Sequence, residues 1–246
     1  LYFRAFDEKF IEEIRSYAIN YFRKILSNLG WEPQKSDKHT DALLRTFTIS
    51  VLGKMNDDTV TDDAIRKYQK FLKSPSSLSP DLIETICSIA AWNGNSKTFA
   101  ELKKLYTNAK TMEEKLRFLG AMCGFQDTKL LIKTLNFSQT SEVRSQNMQL
   151  PIMKIAGNPY GEKVLWPWLK KNWKNINKKV GHGNPLFNRI VASIAGVADD
   201  SMEKEIKVFF KNNPTPGTER TQSQTLERIR INSKFLRTMR KEFKNG

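Results

Sequence analysis

Residues 157–173 read GNPYGEKVLWPWLKKNW, and this stretch decides how the rest of the chain is interpreted. It holds three of the five tryptophans beside paired lysines. Two interpretations compete: a helix buried in an all-helical stack, or a basic aromatic surface that grips nucleic acid. The spacing favours the buried helix, because base-stacking rings would have to be exposed among the cations. The predicted inward face consists of Leu165, Trp166, Leu169, Trp173 and Ile176.

The other side of the same stretch is polar. Lys170, Lys171 and Lys174 fall beside or opposite the tryptophans, and we interpret them as a solvated face. Pro167 lies within the run, where proline either kinks a helix or marks its early turns.

Composition describes a soluble globular chain that is long enough to bury a substantial core. It has 246 residues, of which 39% are hydrophobic and 27% charged. No window approaches 18 apolar residues in a row, so we predict no membrane span. The start at Leu1 shows no signal peptide and lacks Met, which we interpret as a fragment of a longer protein or a processed chain.

Charge is unevenly distributed along the chain. The formal net charge is +15, and residues 151–246 carry most of it. Such a basic portion can attract phosphate backbones, acidic proteins or peptide carboxylates.

The two cysteines, Cys87 and Cys123, lie among apolar neighbours and predict buried free thiols in a reducing cytosol, although the sequence leaves a single disulfide open.

Helical periodicity and helix boundaries recur almost everywhere. Apolar residues lie three and four apart along the first segment, up to Gly30, which is typical of a helix end. Ser79 followed by Pro80 predicts a helix start, and Thr111 with Glu114 forms a capping box. Three apolar sets, counting that first segment, predict amphipathic helices: Phe6, Phe10, Ile14, Tyr17 and Tyr21; Leu43, Leu44, Phe47, Val51 and Leu52; Ala64, Tyr68, Phe71 and Leu72.

We therefore predict an all-α fold of roughly a dozen helices, with no strands. Consecutive antiparallel helix pairs of about 35 to 45 residues are typical of HEAT or armadillo solenoids. No Pro/Gly/Ser-rich linker divides the chain, so we predict one domain over residues 1–246. The loop at 181–185 is interpreted as a turn between helices.

Catalytic and metal motifs are missing from the sequence. His39 and His182 are the only histidines, and neither has a second ligand at metal spacing. There is no HExxH, GxSxG, Walker or GxGxxG motif. Two acidic pairs, at 57–58 and 62–63, suit a helix start, where acids complement the dipole. We predict no catalytic residue and no cofactor in this chain.

The C-terminal segment offers the one candidate site. An inward stripe of Leu226, Ile229, Phe235, Leu236 and Met239 accompanies arginines that cannot all lie on one side of a helix. A solvated basic face is one interpretation. The functional one is a clamp for a carboxylate or phosphate, since guanidinium groups bind both bidentately. We select Arg220, Arg228 and Arg230 for that role.

Short motifs in a fixed order cover nearly the whole chain, and this order resembles the C-terminal helical domain of the gluzincin zinc aminopeptidases. That family includes aminopeptidase N, the puromycin-sensitive aminopeptidases and the tricorn-interacting factors. The sequence departs from the family pattern at Asn147, Phe235 and Pro167. The motifs are GWE at 30–32, DALLR at 41–45, EVRSQN at 142–147, NPYG at 158–161, FF at 209–210, LE at 226–227, IN at 231–232 and FL at 235–236.

The resemblance implies a superhelical bowl of helix pairs that closes over the active site of a catalytic domain absent from this chain. Zinc is expected in that absent domain. The implied function is non-catalytic: the bowl encloses the chamber and helps to admit and hold peptide substrates. We further expect some of Arg220, Arg228 and Arg230 to face the bowl and to attract the C-terminal carboxylate of the peptide. The implied partners are peptides and the protein's own catalytic domain, with no membrane and no nucleic acid, in the cytoplasm.

One alternative stays open. A helical-repeat module could bind nucleic acid or partner proteins through its basic C-terminal half, with Trp166 and Trp168 stacking on bases.

Overall fold

The computed structural model describes residues 8–181 and 184–244, and within them it contains twelve α-helices and no β-strand. The all-α prediction is confirmed. None of these helices combines the length and the apolar character needed to cross a membrane. His182 lies outside the described residues.

Contacts group the described residues into two compact units, 8–125 and 126–244. The border follows Phe125, where no Pro/Gly/Ser-rich segment marks it in the sequence, rather than the loop at 181–185. The prediction of a single domain over 1–246 stays a prediction, and each unit is described by itself.

The N-terminal unit, residues 8–125, consists of six helices with short 3-10 turns at Pro75–Ser77 and Met122–Gly124. Consecutive helices pack together, and α4 also packs against both α2 and α6. The even-numbered helices thus form a row, as expected for stacked helix pairs. The helices are α1 Glu8–Leu29, α2 His39–Lys54, α3 Asp58–Lys73, α4 Pro80–Trp92, α5 Ser96–Asn108 and α6 Met112–Ala121.

The C-terminal unit, residues 126–244, repeats this arrangement. Helices α8, α10 and α12 form a row, with α7 and α9 packed against α8 and α11 against α12. Helix pairing is therefore present in both units, while the bowl stays a prediction. The helices are α7 Thr128–Ser138, α8 Gln149–Ala156, α9 Glu162–Val180, α10 Pro185–Ser193, α11 Glu203–Asn212 and α12 Glu219–Lys244.

Helix boundaries follow the predicted signals. Gly30 ends α1 with a φ of +63°, a conformation that L side chains rarely adopt. The Thr111 hydroxyl accepts from the Glu114 amide at 3.2 Å, and the Glu114 carboxylate accepts from the Thr111 amide at 3.1 Å, which confirms the capping box. The helix predicted to start at Pro80 does so after Ser79, although the Ser79 side chain makes no capping hydrogen bond.

The centre of the N-terminal unit is tightly packed between α2 and α4. A Cβ added at Gly53 of α2 would meet Ile89 of α4 at 2.6 Å, so the two helices approach closely only because position 53 is glycine.

Asp57 shows that one of the acidic pairs has the structural role predicted for it: its carboxylate caps α3 by accepting from the Val60 amide at 2.8 Å.

The apolar faces predicted for the first two helices are exposed over much of their length, although Leu52 is fully buried. Phe6 of the first predicted face lies outside the described residues. Tyr17 is 75% exposed, Leu43 61% and Phe47 57%.

The inward stripe predicted for α12 is confirmed at Ile229 and Leu236, which are buried. It is wrong at Phe235, which is exposed because it lies about 100° around the helix from Leu236.

Candidate functional site

The tryptophan stretch forms a core rather than a surface. Trp166 is 1% exposed and Trp173 2%, and Trp168 is buried as well. Their rings pack edge-on against other aromatic rings: Trp166 on Phe209 at 5.1 Å and Trp173 on Phe209 at 5.2 Å between centroids. The buried-helix interpretation is confirmed, and Trp166 and Trp168 offer no exposed ring on which a base could stack.

Lys170, Lys171 and Lys174 of α9 are exposed, as predicted. Lys170 forms an ion pair with Glu205 and lies 5.6 Å from the Trp166 ring. Pro167 is exposed and lies near the start of α9, whose first residue is Glu162. Its ring therefore points away from the aromatic core.

The start of α12 is fixed by a small polar network. The hydroxyls of Thr215 and Thr218 lie 2.8 Å apart, and the Gln222 side-chain amide donates to both, at 3.1 and 2.9 Å. Both threonines are buried. Because buried polar atoms are costly to leave unpaired, this network holds the first turn of α12 in one position.

Further along α12, hydrogen bonds attach its inward side to the preceding segment of the C-terminal unit. The Asn232 amide donates to the Ala195 carbonyl at 3.1 Å, and the Ser233 hydroxyl accepts from the Asp200 backbone amide at 2.9 Å. The outward side of α12 carries the arginines of the predicted site.

Arg230 is paired with an acid of α11. Its Nε donates to Glu203 Oε2 at 2.9 Å, and a second guanidinium nitrogen reaches Oε1 at 2.5 Å. The hydrogen bond from Arg230 lowers the pKa of Glu203, and the same pairing raises the pKa of Arg230. A peptide carboxylate at Arg230 would therefore have to compete with Glu203.

Arg220 and Arg228 are exposed, and neither forms an ion pair within the part of the chain that the structure describes. At 100° per residue, Arg228 and Arg230 point about 160° apart, and Arg220 lies about 80° from each. The helix therefore does not gather the three predicted arginines into one cluster. Their role toward a peptide stays a prediction.

A second arginine-containing feature was missed in the sequence. A groove of about 520 Å³ lies in the C-terminal unit and contains an ion pair between Arg237 and Asp200. Acidic and basic side chains both line the groove. The available signal was the spacing of Arg237 and Arg240, three apart on one helix. The lining residues are Pro159, Glu162, Asp199, Asp200, Ser233, Leu236, Arg237 and Arg240.

Metal-binding side chains are dispersed. Among residues 8–181 and 184–244, no three His, Cys, Asp or Glu side chains come together in a way that could hold a metal ion. His39 is exposed at the first turn of α2. Cys87 and Cys123 are free and buried, which confirms the thiol prediction, and burial raises the pKa of Cys87. The described residues do not fit a zinc ion, and zinc in another domain stays a prediction.

Comparison with known proteins matches the chain to one family model and to several longer proteins. Residues 2–231 match the family model described as "ERAP1-like C-terminal domain". The chain is 27% identical over 241 residues to Aminopeptidase M1 of Arabidopsis thaliana, covering 96% of this chain and 27% of that protein. It is 30% identical over 240 residues to Aminopeptidase M1-C of Oryza sativa subsp. japonica, with coverage of 94% and 27%.

A fungal relative aligns over similar fractions of this chain and of its own length. Aminopeptidase 2, mitochondrial, of Saccharomyces cerevisiae is 25% identical over 232 residues, covering 92% of this chain and 24% of that protein. The chain thus spans about a quarter of the length of the curated relatives it matches.

Proposed function

Because the chain belongs to the family of ERAP1-like C-terminal domains, we propose that it is the non-catalytic C-terminal domain of a zinc-dependent aminopeptidase. The observation that carries the proposal is the match over residues 2–231, nearly the whole chain. The relatives that align along the same length are named aminopeptidases. Zinc and the reacting groups belong to the region of the parent enzyme that this chain does not contain.

The role of the domain is to enclose the chamber in which peptides are held. Rows of stacked helix pairs support this role, because such stacks curve and create extended concave binding surfaces. We further place the parent enzyme in the cytoplasm, since Cys87 and Cys123 are free thiols.

Arginines of α12 attract the C-terminal carboxylate of the peptide. Arg220 and Arg228 are the better placed of the three selected, because they are exposed and unpaired among the described residues, whereas Arg230 is held by Glu203. A guanidinium group presents two parallel donors that match the two oxygens of a carboxylate. At exposed positions each contact contributes little, about 0.2–1 kcal/mol.

The test replaces Arg220, Arg228 and Arg230 by Ala in the full-length enzyme. We expect KM for long peptides to rise about three- to ten-fold, in line with a few weak charge contacts. Hydrolysis of a single-residue aminoacyl reporter, which is too short to reach α12, should stay unchanged. Unaltered kinetics on long peptides would remove the arginines from the proposal.

A matched control separates specific contacts from net charge. Lys171, Lys174 and Lys178 are three exposed cations on α9 of the same unit, and their replacement by Ala removes the same charge. This control should leave KM for long peptides within about two-fold of the wild type, because exposed charges beyond a Debye length of about 8 Å are screened. An equal effect of both triple variants would indicate charge steering alone.

The competing function is a binding module for nucleic acid or a partner protein through the basic C-terminal half. The net charge of +15 favours it, but the burial of Trp166 and Trp168 removes the stacking rings it would use. Fluorescence anisotropy with labelled RNA and DNA at two salt concentrations is the test. Sequence-independent affinity that falls steeply with salt would favour the nucleic-acid module.

A further inference from the structure

The first helix carries apolar side chains on its solvent side. Helix α1 runs for 22 residues, yet Leu26 is the one buried side chain among those described in it. Ile14, Tyr17 and Tyr21 lie within about 60° of one another around the helix, and all three are exposed. This helix therefore presents a stripe of large apolar groups that nothing in the described chain covers.

The second helix is apolar on two opposite faces. Thr48, Ile49 and Leu52 are fully buried on one face. The other face is occupied by Leu43, Leu44 and Phe47, which are exposed. Helices at the surface of a soluble domain carry polar residues outward, and helices that are apolar all round are normally buried. The sequence of α2 thus suits a helix covered on both sides.

The two exposed stripes form one continuous surface. The Phe22 ring of α1 packs edge-on against the Phe47 ring of α2 at 5.8 Å between centroids, and the Tyr21 ring packs against Phe22 at 5.4 Å. We call this surface the α1–α2 face. It consists of Ile14, Tyr17, Tyr21, Leu43, Leu44 and Phe47.

The concentration of apolar groups on this face is unusual within the molecule. Twelve large hydrophobic side chains are exposed among the described residues, and six of them lie on these two helices. Single exposed apolar residues need no explanation, but a contiguous patch rimmed by polar residues marks an interaction site. Tyr17 and Tyr21 also suit an interface, because each combines an apolar ring with a hydroxyl that can bind a partner.

Area favours an occupant from the same polypeptide over a second copy. An aromatic side chain presents roughly 150–250 Å², so the six partly exposed side chains offer on the order of 500 Å², or about 1,000 Å² when both partners are counted. That value lies within the roughly 600–1,500 Å² of interfaces between domains of one chain. It lies below the roughly 1,600 Å² typical of stable complexes between separate proteins.

The comparisons indicate where such an occupant would come from. The relatives are about four times longer than the part that this chain matches, and the family is described as a C-terminal domain. In a protein whose C-terminal domain this is, other regions come before it in the chain, on the side of α1, the first helix that the structure describes.

We infer that the α1–α2 face is the docking surface for the preceding region of the same polypeptide, which covers it with an apolar surface of its own. This inference rests on the proposed function, because it takes the chain to be the C-terminal part of a longer enzyme. Covalent linkage supplies a high effective concentration, so a face of modest area suffices to hold the two regions together.

Hydroxyl-radical footprinting tests the inference by comparing the 246-residue chain with the full-length protein. Tyr17, Tyr21 and Phe47 should be labelled at least about five times more slowly in the full-length protein, because a side chain that is 75% exposed, as Tyr17 is, would enter an interface core. Ile231 on α12, which is 59% exposed, serves as the internal reference and should label equally in both.

A pair of matched variants tests the same surface by another route. Leu43 and Ile231 are exposed to nearly the same extent, 61% and 59%. In the full-length protein, Leu43→Ser should raise the labelling of Tyr21 and Phe47, whereas Ile231→Ser should not. In the isolated chain both substitutions should leave the labelling unchanged, because neither disturbs a buried contact.

Two results would overturn the inference. Equal labelling of the face in the chain and in the full-length protein would show that nothing from the same polypeptide covers it. Protection that appears in the isolated chain and grows with its concentration would assign the face to a second copy. Aminoacyl hydrolysis by the same full-length preparation reports separately on the proposed function: an active enzyme with an unprotected face overturns this inference alone, and an inactive one overturns the proposed function.

Discussion

The guanidinium group of Arg45 donates a hydrogen bond from Nε to the backbone carbonyl of Gly30 at 3.1 Å. The same side chain reaches the Leu29 carbonyl at 3.0 Å and the Asp37 carboxylate at 2.6 Å. A buried cation on α2 therefore satisfies the last carbonyls of α1, where the helix dipole favours positive charge. This contact fixes α1 against α2 and gives a physical reason for the arginine in DALLR.

Arg45→Ala should lower the free energy of unfolding by about 3 kcal/mol, because it removes a buried donor from two backbone carbonyls and from the Asp37 carboxylate. Urea denaturation followed by circular dichroism measures the change. Arg45→Lys should recover little, since an ammonium group cannot reproduce the planar fork of donors.

Arg66 on α3 provides the control for this prediction. Its side chain is 77% exposed and pairs with Asp63 one turn away. Arg66→Ala should therefore change the free energy of unfolding by no more than about 0.5 kcal/mol. Equal effects of Arg45→Ala and Arg66→Ala would argue against the capping role of Arg45.

The aromatic core of the C-terminal unit gives a second prediction. Trp173 is buried and packs against both Phe187 and Phe209, at 5.0 and 5.2 Å between ring centroids. Trp173→Ala should cost about 3–5 kcal/mol, because a large cavity would replace the ring. Phe235→Ala, at an exposed position on α12, should cost less than about 1 kcal/mol. Thermal unfolding of the two variants, compared with wild type, distinguishes them.

The capping box of α6 predicts a pH dependence. Backbone hydrogen bonds from Thr111 and then Lys110 lower the pKa of Glu114. A carboxylate with a lowered pKa stabilises the fold above its ordinary pKa and loses that contribution as the pH falls through the lowered value. The stability difference between wild type and Glu114→Gln should therefore be present at pH 7 and shrink between about pH 5 and pH 3. A difference that grows on acidification would contradict the capping geometry.

Thiol chemistry gives a fourth prediction. Burial raises the pKa of Cys87, and Cys123 is buried as well. Because the thiolate is the reactive form, Ellman's reagent at pH 8 should react with neither thiol in the native protein. Two thiols should react once the chain is unfolded in guanidinium chloride. A chain that releases no thiol after unfolding without reductant would instead contain a disulfide.

Local signals in the sequence predicted most of the fold. Periodicity and capping rules predict features that depend on neighbours within a few residues. Such features are the helix end at Gly30, the Thr111 capping box and the buried face of α9. The border after Phe125 was not predicted, because contact density rather than linker composition defines it.

The candidate site was harder to predict from the sequence. Arg230 pairs with Glu203 across 27 positions, and such a pairing depends on how α11 meets α12. The exposure of the apolar stripe around Tyr17 could not be predicted from the sequence either. Periodicity reveals that a helix has an apolar face, but it does not reveal whether the partner of that face belongs to the same segment of chain.

The proposed function is tested most directly by hydrolysis of an aminoacyl reporter by the full-length protein and by the 246-residue chain, each before and after treatment with a zinc chelator. We expect chelator-sensitive hydrolysis by the full-length protein and none by the chain alone. Activity that purified with the isolated chain, or a full-length protein that hydrolysed no aminoacyl substrate, would contradict the proposed function.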